Sequence, residues 1–281
     1  MERRYGQDLK AYSKYFTEKR DCIVCGGKGE PWARLRPFKA VKCDCGFVWM
    51  NPYPTRKGLE EYYNNHFAKR MGQEEKATQR KLQYEIDAEF LELFTSQGEL
   101  LDIGCSGGYF LDTLSDGFDK HGIDIDPEAV RYANEHYGFD VTQGRIEDYQ
   151  STKFDVVTMR GVIEHFPNPV EVMGKVASLV KKGGILYIAA TPDVSSFCAE
   201  IYREKWNQFH PIQHLSYFSV KTLTMFLNDN FQYIAHHHPY IETPYQDMSS
   251  DYAQVKKACG GKMGVSPAFW GNMMNVVYRR E

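Results

Sequence analysis

The stretch at residues 99–126, ELLDIGCSGGYFLDTLSDGFDKHGIDID, decides the fold. Its apolar run at 100–103 predicts a buried strand. A turn follows at Gly104-Cys105-Ser106-Gly107-Gly108, and the spacing then predicts a helix over 109–116. Residues 122–125 predict a second strand, and Asp126-Pro127 opens another helix. Strand, glycine turn, helix, strand and terminal acid form the unit of a nucleotide-binding α/β sheet. Gly104 and Gly108 lack Cβ, so the backbone there can approach a ligand or take positive φ. Free N–H groups at the start of the following helix favour an anionic group. Asp124 lies 20 residues past Gly104 and can accept the hydroxyl protons of a ribose. Two ligands satisfy this pattern: a dinucleotide, or an adenosine joined to an amino acid.

Asp102 separates them. A dinucleotide fingerprint needs G-x-G-x-x-G, but counting from Gly104, Ser106 takes the second glycine's place and Tyr109 the third's. The turn reads instead D-x-G-x-[GS]-x-G, from Asp102 to Gly108. In this it resembles the first motif of class I S-adenosylmethionine-dependent methyltransferases. The resemblance implies that Asp102 orders the turn and meets the donor's amino group. It also assigns Gly104, Cys105, Ser106 and Gly108 to the methionine end, and Asp124 with Ile125 to the ribose side. At 144–148 Arg145 stands where the family more commonly has Asp. The adenine then falls to the Ile146 backbone and to Glu147, which can equally be read as a helix cap.

Further along, FDVVTM at 154–159 predicts a strand, followed by RGVIEHF and Pro167-Asn168-Pro169. This order resembles the fourth motif of small-molecule methyltransferases, including those of ubiquinone synthesis. Arg160 then borders the cofactor. A helix over 170–180, a K-G-G turn and a strand at 185–190 follow. Strands at 231–234 and 273–278 would close the sheet as an antiparallel pair. The expected fold is a three-layer, Rossmann-like α/β sandwich with a seven-stranded, mostly parallel sheet, and the resemblance spans about residues 85–280.

The chain has 281 residues, 42% of them apolar, enough for one large core and a small accessory unit. A formal charge of -3 argues against a non-specific nucleic-acid binder. No run of 18 apolar residues suggests a membrane span, and residues 1–20 lack the apolar core of a secretory signal. Four of the seven cysteines fall within residues 22–45, which suits metal binding in a reducing cytoplasm better than a disulfide framework. Cys22 and Cys25 form a C-x-x-C-G knuckle. Cys43 and Cys45 form C-x-C, one residue tighter than the usual zinc knuckle. Four thiolates on two turns would make a closed structural Zn2+ site; free thiols are the alternative. Residues 20–65 also resemble the zinc-ribbon-like segment of bacterial sugar-tailoring methyltransferases: a cysteine pair, C-G-F-V, N-P-x-P, then a Tyr-Tyr helix. The expected division is an arm and zinc-binding lobe at 1–65, a linker or exposed helix at 66–84, and a cofactor domain at 85–281. From Lys81, helical spacing places Leu82, Ile86, Phe90, Leu91 and Phe94 on the apolar face.

Methyl transfer to a hydroxyl is assisted by a nearby base, and histidine suits the role. Within a cover segment at about 192–222, His214 is the first candidate for base or orienting residue and His210 the second; hydrogen bonding of His214 to backbone is the competing reading. Glu164 and His165 sit at the carboxyl end of the fourth strand, where open α/β sheets bind ligands. His236-His237-His238 suggests a metal cluster, but neighbours on a strand point to opposite faces. Phe197, Tyr202, Trp206 and Phe209 suit acceptor stacking or core packing. The expected activity is O-methylation of a small molecule, a nucleotide sugar or glycan precursor by resemblance. An NAD-linked oxidoreductase and a catalytically silent binding protein are the alternatives.

Overall fold

The computed structural model describes residues 9–67 and 73–281. After a 3-10 turn at Leu9–Tyr15, the amino-terminal lobe is built from short strands. These are β1 (Phe16–Glu18), β2 (Gly29–Leu35), β3 (Phe38–Cys43), β4 (Val48–Met50) and β5 (Tyr53–Pro54). β2, β3 and β4 form an antiparallel sheet, and β1 pairs with β5. Helix α1 (Arg56–Phe67) follows. Of the expected linker, residues 68–72 lie outside the described residues, and α2 (Gln73–Glu92) begins directly after them.

The expected apolar stripe of α2 is displaced. Leu82 is exposed, while Gln83, Tyr84, Asp87, Ala88 and Leu91 are buried. The helix is turned by about one position from the face its apolar residues suggest, because Asp87 is drawn inward by Arg160 and Asn275. A charged group buried this deeply is stable only when it is paired.

The central sheet comprises β6 (Gly98–Ile103), β7 (Phe118–Asp124), β8 (Asp140–Gln143), β9 (Phe154–Arg160), β10 (Val180–Pro192), β12 (Phe231–His237) and β13 (Met273–Arg280). Its order is β12-β13-β10-β9-β6-β7-β8. All neighbours run parallel except β13, which is antiparallel to both β10 and β12. The strand order therefore reverses between β6 and β9, opening a crevice at their carboxyl ends. The apolar runs are buried on both faces, as a covered parallel sheet requires. Leu100, Val156 and Tyr187 meet α2, α3 (Tyr109–Thr113) and α4 (Pro127–Tyr137). Leu101, Val157 and Leu186 meet α5 (Pro169–Leu179), α7 (Val220–Leu227) and the lobe. The predicted helix at 109–116 is shorter than its pattern, ending at Thr113. A segment with α8 (Met248–Cys259) connects β12 to β13. Among the described residues no helix is long and apolar enough to cross a membrane.

The cover segment carries α6 (Phe197–Tyr202) and the short strand β11 (Ser216–Tyr217). β11 joins the lobe's sheet at the edge of β4, pairing Ser216 with Trp49 and Tyr217 with Val48. Aromatic contacts fill the seam: Trp32 meets Trp206 edge-to-face at 6.4 Å and Phe209 at 6.0 Å, and Phe47 packs on Phe218 at 4.9 Å. Lys42 of the lobe pairs with Glu200 of α6. Lobe and cover thus share one core.

Candidate active site

The glycine turn connects β6 to α3. Gly104 takes φ +74°, and a Cβ there would come within 2.7 Å of Val162. Gly108, at φ +80°, is the residue that caps α3. Both positions need glycine, one chiefly for close approach to the loop after β9 and the other for its left-handed backbone. Cys105 is buried beneath the turn, where its sulfur would meet a Cβ at Gly122 at 2.6 Å.

Asp102 lies under this turn, 2% exposed, and accepts the Thr158 hydroxyl at 2.6 Å. Burial pushes its carboxyl up to about 7; Thr158 and Arg160 oppose the rise and Asp124 adds to it. A cation placed against Asp102 would restore its charge, which is what an ammonium group supplies. At the end of β7, Asp124 accepts the Ser106 amide at 2.8 Å through Oδ2 and the Asp126 amide at 2.9 Å through Oδ1. Both oxygens are fixed by main-chain amides, so the carboxylate is held in one orientation at the end of the strand. Ile125 beside it is 44% exposed, an apolar face at the mouth of the crevice. Two acids of these types flanking a tight glycine turn fit an amino-acid-linked adenosine such as S-adenosylmethionine. Farther along, Ile146 is buried in a 3-10 turn, and Glu147 is paired with Arg145 at 2.9 Å.

Glu164, His165 and His214 come together, with one ligand-type atom from each lying within 4.8 Å of the others. His165 packs edge-to-face on His214 with ring centroids 4.8 Å apart, and His210 does so at 4.9 Å. Nδ1 of His214 lies 2.8 Å from the Gln208 carbonyl, and Nδ1 of His165 lies 2.8 Å from the Gln213 carbonyl. A carbonyl only accepts, so in both rings Nδ1 carries a proton, and in the neutral form of His214 Nε2 presents the lone pair. Burial drives the His214 pKa well below its ordinary value, helped by His165 and His210, so this imidazole is neutral near pH 7. Glu164 goes the other way: burial raises its carboxyl to about 8. The sequence-named acceptor candidates thus converge. Backbone bonding of His214 is also observed; it fixes the tautomer and leaves the second nitrogen available.

Arg160, the last residue of β9, is tied to α2. Its Nε and Nη2 reach Asp87 Oδ2 at 2.8 and 2.7 Å, and its guanidinium stacks on Tyr84 at 4.3 Å. Asp87 Oδ1 accepts from Gln83 at 2.9 Å and from Asn275 at 2.7 Å. Asp87 was hidden in the sequence because the apolar residues of α2 mark a neighbouring face, and the buried face carries Gln83 as well as Asp87.

The four lobe sulfurs also gather. Cys22 and Cys45 are 3.6 Å apart, Cys25 and Cys43 3.4 Å, and all four lie within 4.8 Å of one another. A tetrahedron with zinc–sulfur bonds of about 2.3 Å has edges of roughly 3.8 Å, close to this spacing. The short C-x-C pair reaches the cluster because Gly46 turns the chain at φ +104°. The three consecutive histidines behave differently. His236 and His238 have ring centroids 5.2 Å apart, and His238 is held by Asp193 at 2.9 Å. His237 packs instead on Phe90. Phe209 and Trp206 are buried in the lobe–cover seam, whereas Phe197 is 49% exposed.

An open sheet with a reversed penultimate strand and a glycine turn between two acids defines the class I methyltransferase fold. A family model for the methyltransferase domain matches residues 78–236, more than half of the chain. The chain belongs to that family. It is 32% identical over 112 residues to the ubiquinone biosynthesis O-methyltransferase of Methylococcus capsulatus, covering 36% of this chain and 47% of that one. The corresponding protein of Thiobacillus denitrificans is 33% identical over 100 residues, with 32% and 43% covered. The chain therefore matches less than half the length of these relatives. Among solved structures, a SAM-dependent methyltransferase of Thermotoga maritima aligns with TM-score 0.56 at 17% identity, covering 77% of this chain and 99% of that one. The Haloferax volcanii methyltransferase solved with its Trm112 activator gives 0.55 at 15% identity, with 79% and 96% covered. These two likenesses are of fold.

Proposed function

We propose that the protein transfers the methyl group of S-adenosylmethionine to a hydroxyl of a small molecule, with structural zinc in the cysteine lobe. The observation that carries this reading is the pairing of two arrays at the carboxyl edge of one sheet. One is the Asp102–Gly104–Asp124 cradle, suited to the donor. The other is the Glu164–His165–His214 cluster, suited to a proton-bearing acceptor.

When bound, the donor supplies an electrophilic methyl on sulfur. Asp102 would meet its ammonium, and Asp124 its ribose hydroxyls. His214 Nε2 would accept the proton that the acceptor's hydroxyl loses as its oxygen takes the methyl. Glu164, ionised, stabilises the imidazolium that results. Positioning contributes several kcal/mol and a general base a further 10²–10⁴-fold.

A second reading is favoured by the convergence of the cluster. A divalent cation held by Glu164 and the two Nε2 atoms would lower the pKa of an acceptor hydroxyl directly. The acceptor we favour is a sugar or glycan precursor, from the likeness of residues 20–65 to sugar-tailoring enzymes. The matched relatives' names instead point to ubiquinone biosynthesis.

Calorimetry with S-adenosylhomocysteine and with NADH tests the donor site. Binding of NADH alone would overturn the assignment. Incubation with labelled donor, nucleotide sugars and ubiquinone precursors, with and without Mg2+ or Mn2+, reads the acceptor and the role of the cation by mass spectrometry.

A further inference from the structure

We propose that Asp87 is a positioning residue: it holds the Arg160 guanidinium at the carboxyl edge of the sheet, where its positive charge stands beside the cofactor acid Asp102. The inference rests on the donor assignment above and extends it to a residue outside both arrays.

Strand alternation places the partners. Asp102 pairs in register with Thr158, and Arg160 follows two residues later on β9, so both project from the α2 face. Leu100 and Val156, two residues before Asp102 and Thr158, pack on that same face. Thr158 donates to Asp102, and Arg160, next along β9 on the same face, favours the ionised Asp102 carboxylate against a large cost of burial.

The guanidinium has little freedom. Asp87 grips it through two nitrogens, and Tyr84 covers its face. Asp87 itself has no exposed surface and is anchored from α2 by Gln83 and from β13 by Asn275. Asn275 also accepts the amide of Ala190 at 2.8 Å, at the irregular end of β10. Three elements, α2, β9 and β13, thus meet on one carboxylate, and β10 joins them through Asn275. Such a network is costly to bury and confers no binding surface of its own, so stability alone does not account for it. Holding a charge beside the cofactor acid does.

The charged and titratable groups around this point are Asp87 and Tyr84 on α2, Asp102 on β6, Cys105 in the glycine turn, Asp124 on β7, Arg160 on β9, Glu164 and His165 after it, Tyr187 on β10 and His237 at the end of β12. Removing the Asp87 charge makes the field at Asp102 more positive. Removing the Arg160 charge does the reverse.

The test is the pH dependence of S-adenosylhomocysteine affinity in the 281-residue protein, wild type against Asp87→Asn and Arg160→Gln, with melting curves to verify folding. Carboxyl 13C titration of Asp102 in the unliganded protein gives a readout independent of binding. Affinity should tighten as pH rises through the Asp102 midpoint. Asp87→Asn should lower that midpoint by roughly 0.5–1 unit, and Arg160→Gln should raise it comparably. If Asp87→Asn does not fold, Arg160→Gln must still move the Asp102 midpoint upward. A midpoint that stays put, or that moves alike in both variants, overturns the proposal. Wild-type protein that binds no S-adenosylhomocysteine at any pH overturns the donor assignment instead.

Discussion

The Met50 amide donates to the Leu215 carbonyl at 3.0 Å, while the Leu215 amide donates to the Glu164 carbonyl at 2.8 Å. Met50 ends the strand that follows the second cysteine pair, and Leu215 follows His214 directly. A short path of main-chain bonds therefore runs from the four sulfurs to the acceptor cluster and bypasses the donor cradle.

Removal of the proposed zinc should accordingly separate two properties. Cys43→Ser, or exhaustive chelation, should lower the melting temperature and reduce turnover by at least about tenfold, since a metal in so small a lobe stands in for part of a core. Affinity for S-adenosylhomocysteine should change little. Metal analysis, calorimetry and turnover on the same preparations check this, and equal loss of binding and turnover would contradict it.

Asp124→Ala and His214→Ala should fail in different ways. Loss of the Asp124 carboxylate removes the acceptor for the Ser106 amide in the turn and for the Asp126 amide after β7, as well as the proposed diol contact. We expect roughly 100-fold or greater weakening of cofactor binding. His214→Ala should leave that affinity intact and cut turnover by about 10²–10⁴-fold. Isothermal calorimetry and single-turnover kinetics distinguish the two.

Asp102→Asn should stabilise the unliganded protein while abolishing its function. The Asp102 pKa is raised to about 7 in the fold, against about 3.9 in an unfolded chain. Its contribution to stability is fully present below about pH 4 and is lost as pH rises through 7. Asn carries no such penalty and still offers an oxygen to Thr158. The variant should therefore melt higher than wild type at pH 8, by on the order of 1–3 kcal/mol, with the difference fading toward pH 4. Melting curves at the two pH values are sufficient.

Glu164→Gln should flatten the pH profile of turnover. With its carboxyl raised to about 8, wild-type Glu164 becomes ionised as pH rises through that value, so kcat should climb across it. The Gln variant should lose the climb and about 10²-fold in rate, with cofactor affinity preserved. If Mg2+ or Mn2+ shifts the wild-type midpoint downward, the cation reading gains over a histidine acting alone.

The sheet and the donor cradle were legible because they depend on local chemistry. Apolar runs of four to six residues, glycines at forced backbone positions and acids at strand ends leave marks within a few residues of one another. Three features were not legible. β11 spans only Ser216–Tyr217, too short to show alternation, so its pairing with β4 left no pattern. The rotation of α2 was concealed because periodicity counts apolar residues, whereas Asp87 faces inward through distant partners on β9 and β13. The gathering of Glu164 and His165 with His214 depends on the path of the cover segment, which no spacing along the chain encodes.

The addition of β11 to the lobe's sheet bears on any attempt to transplant or trim this enzyme. A fragment confined to the family-matched region, residues 78–236, would lack β2, β3 and β4 and leave β11 as a bare edge. It would also uncover Trp206, Phe209 and Tyr217, an aromatic patch with unpaired main-chain groups beside it. Chimeras that exchange acceptor preference should therefore carry the cysteine lobe and the cover together as one cassette, since swapping either alone invites aggregation before any chemistry can be assayed.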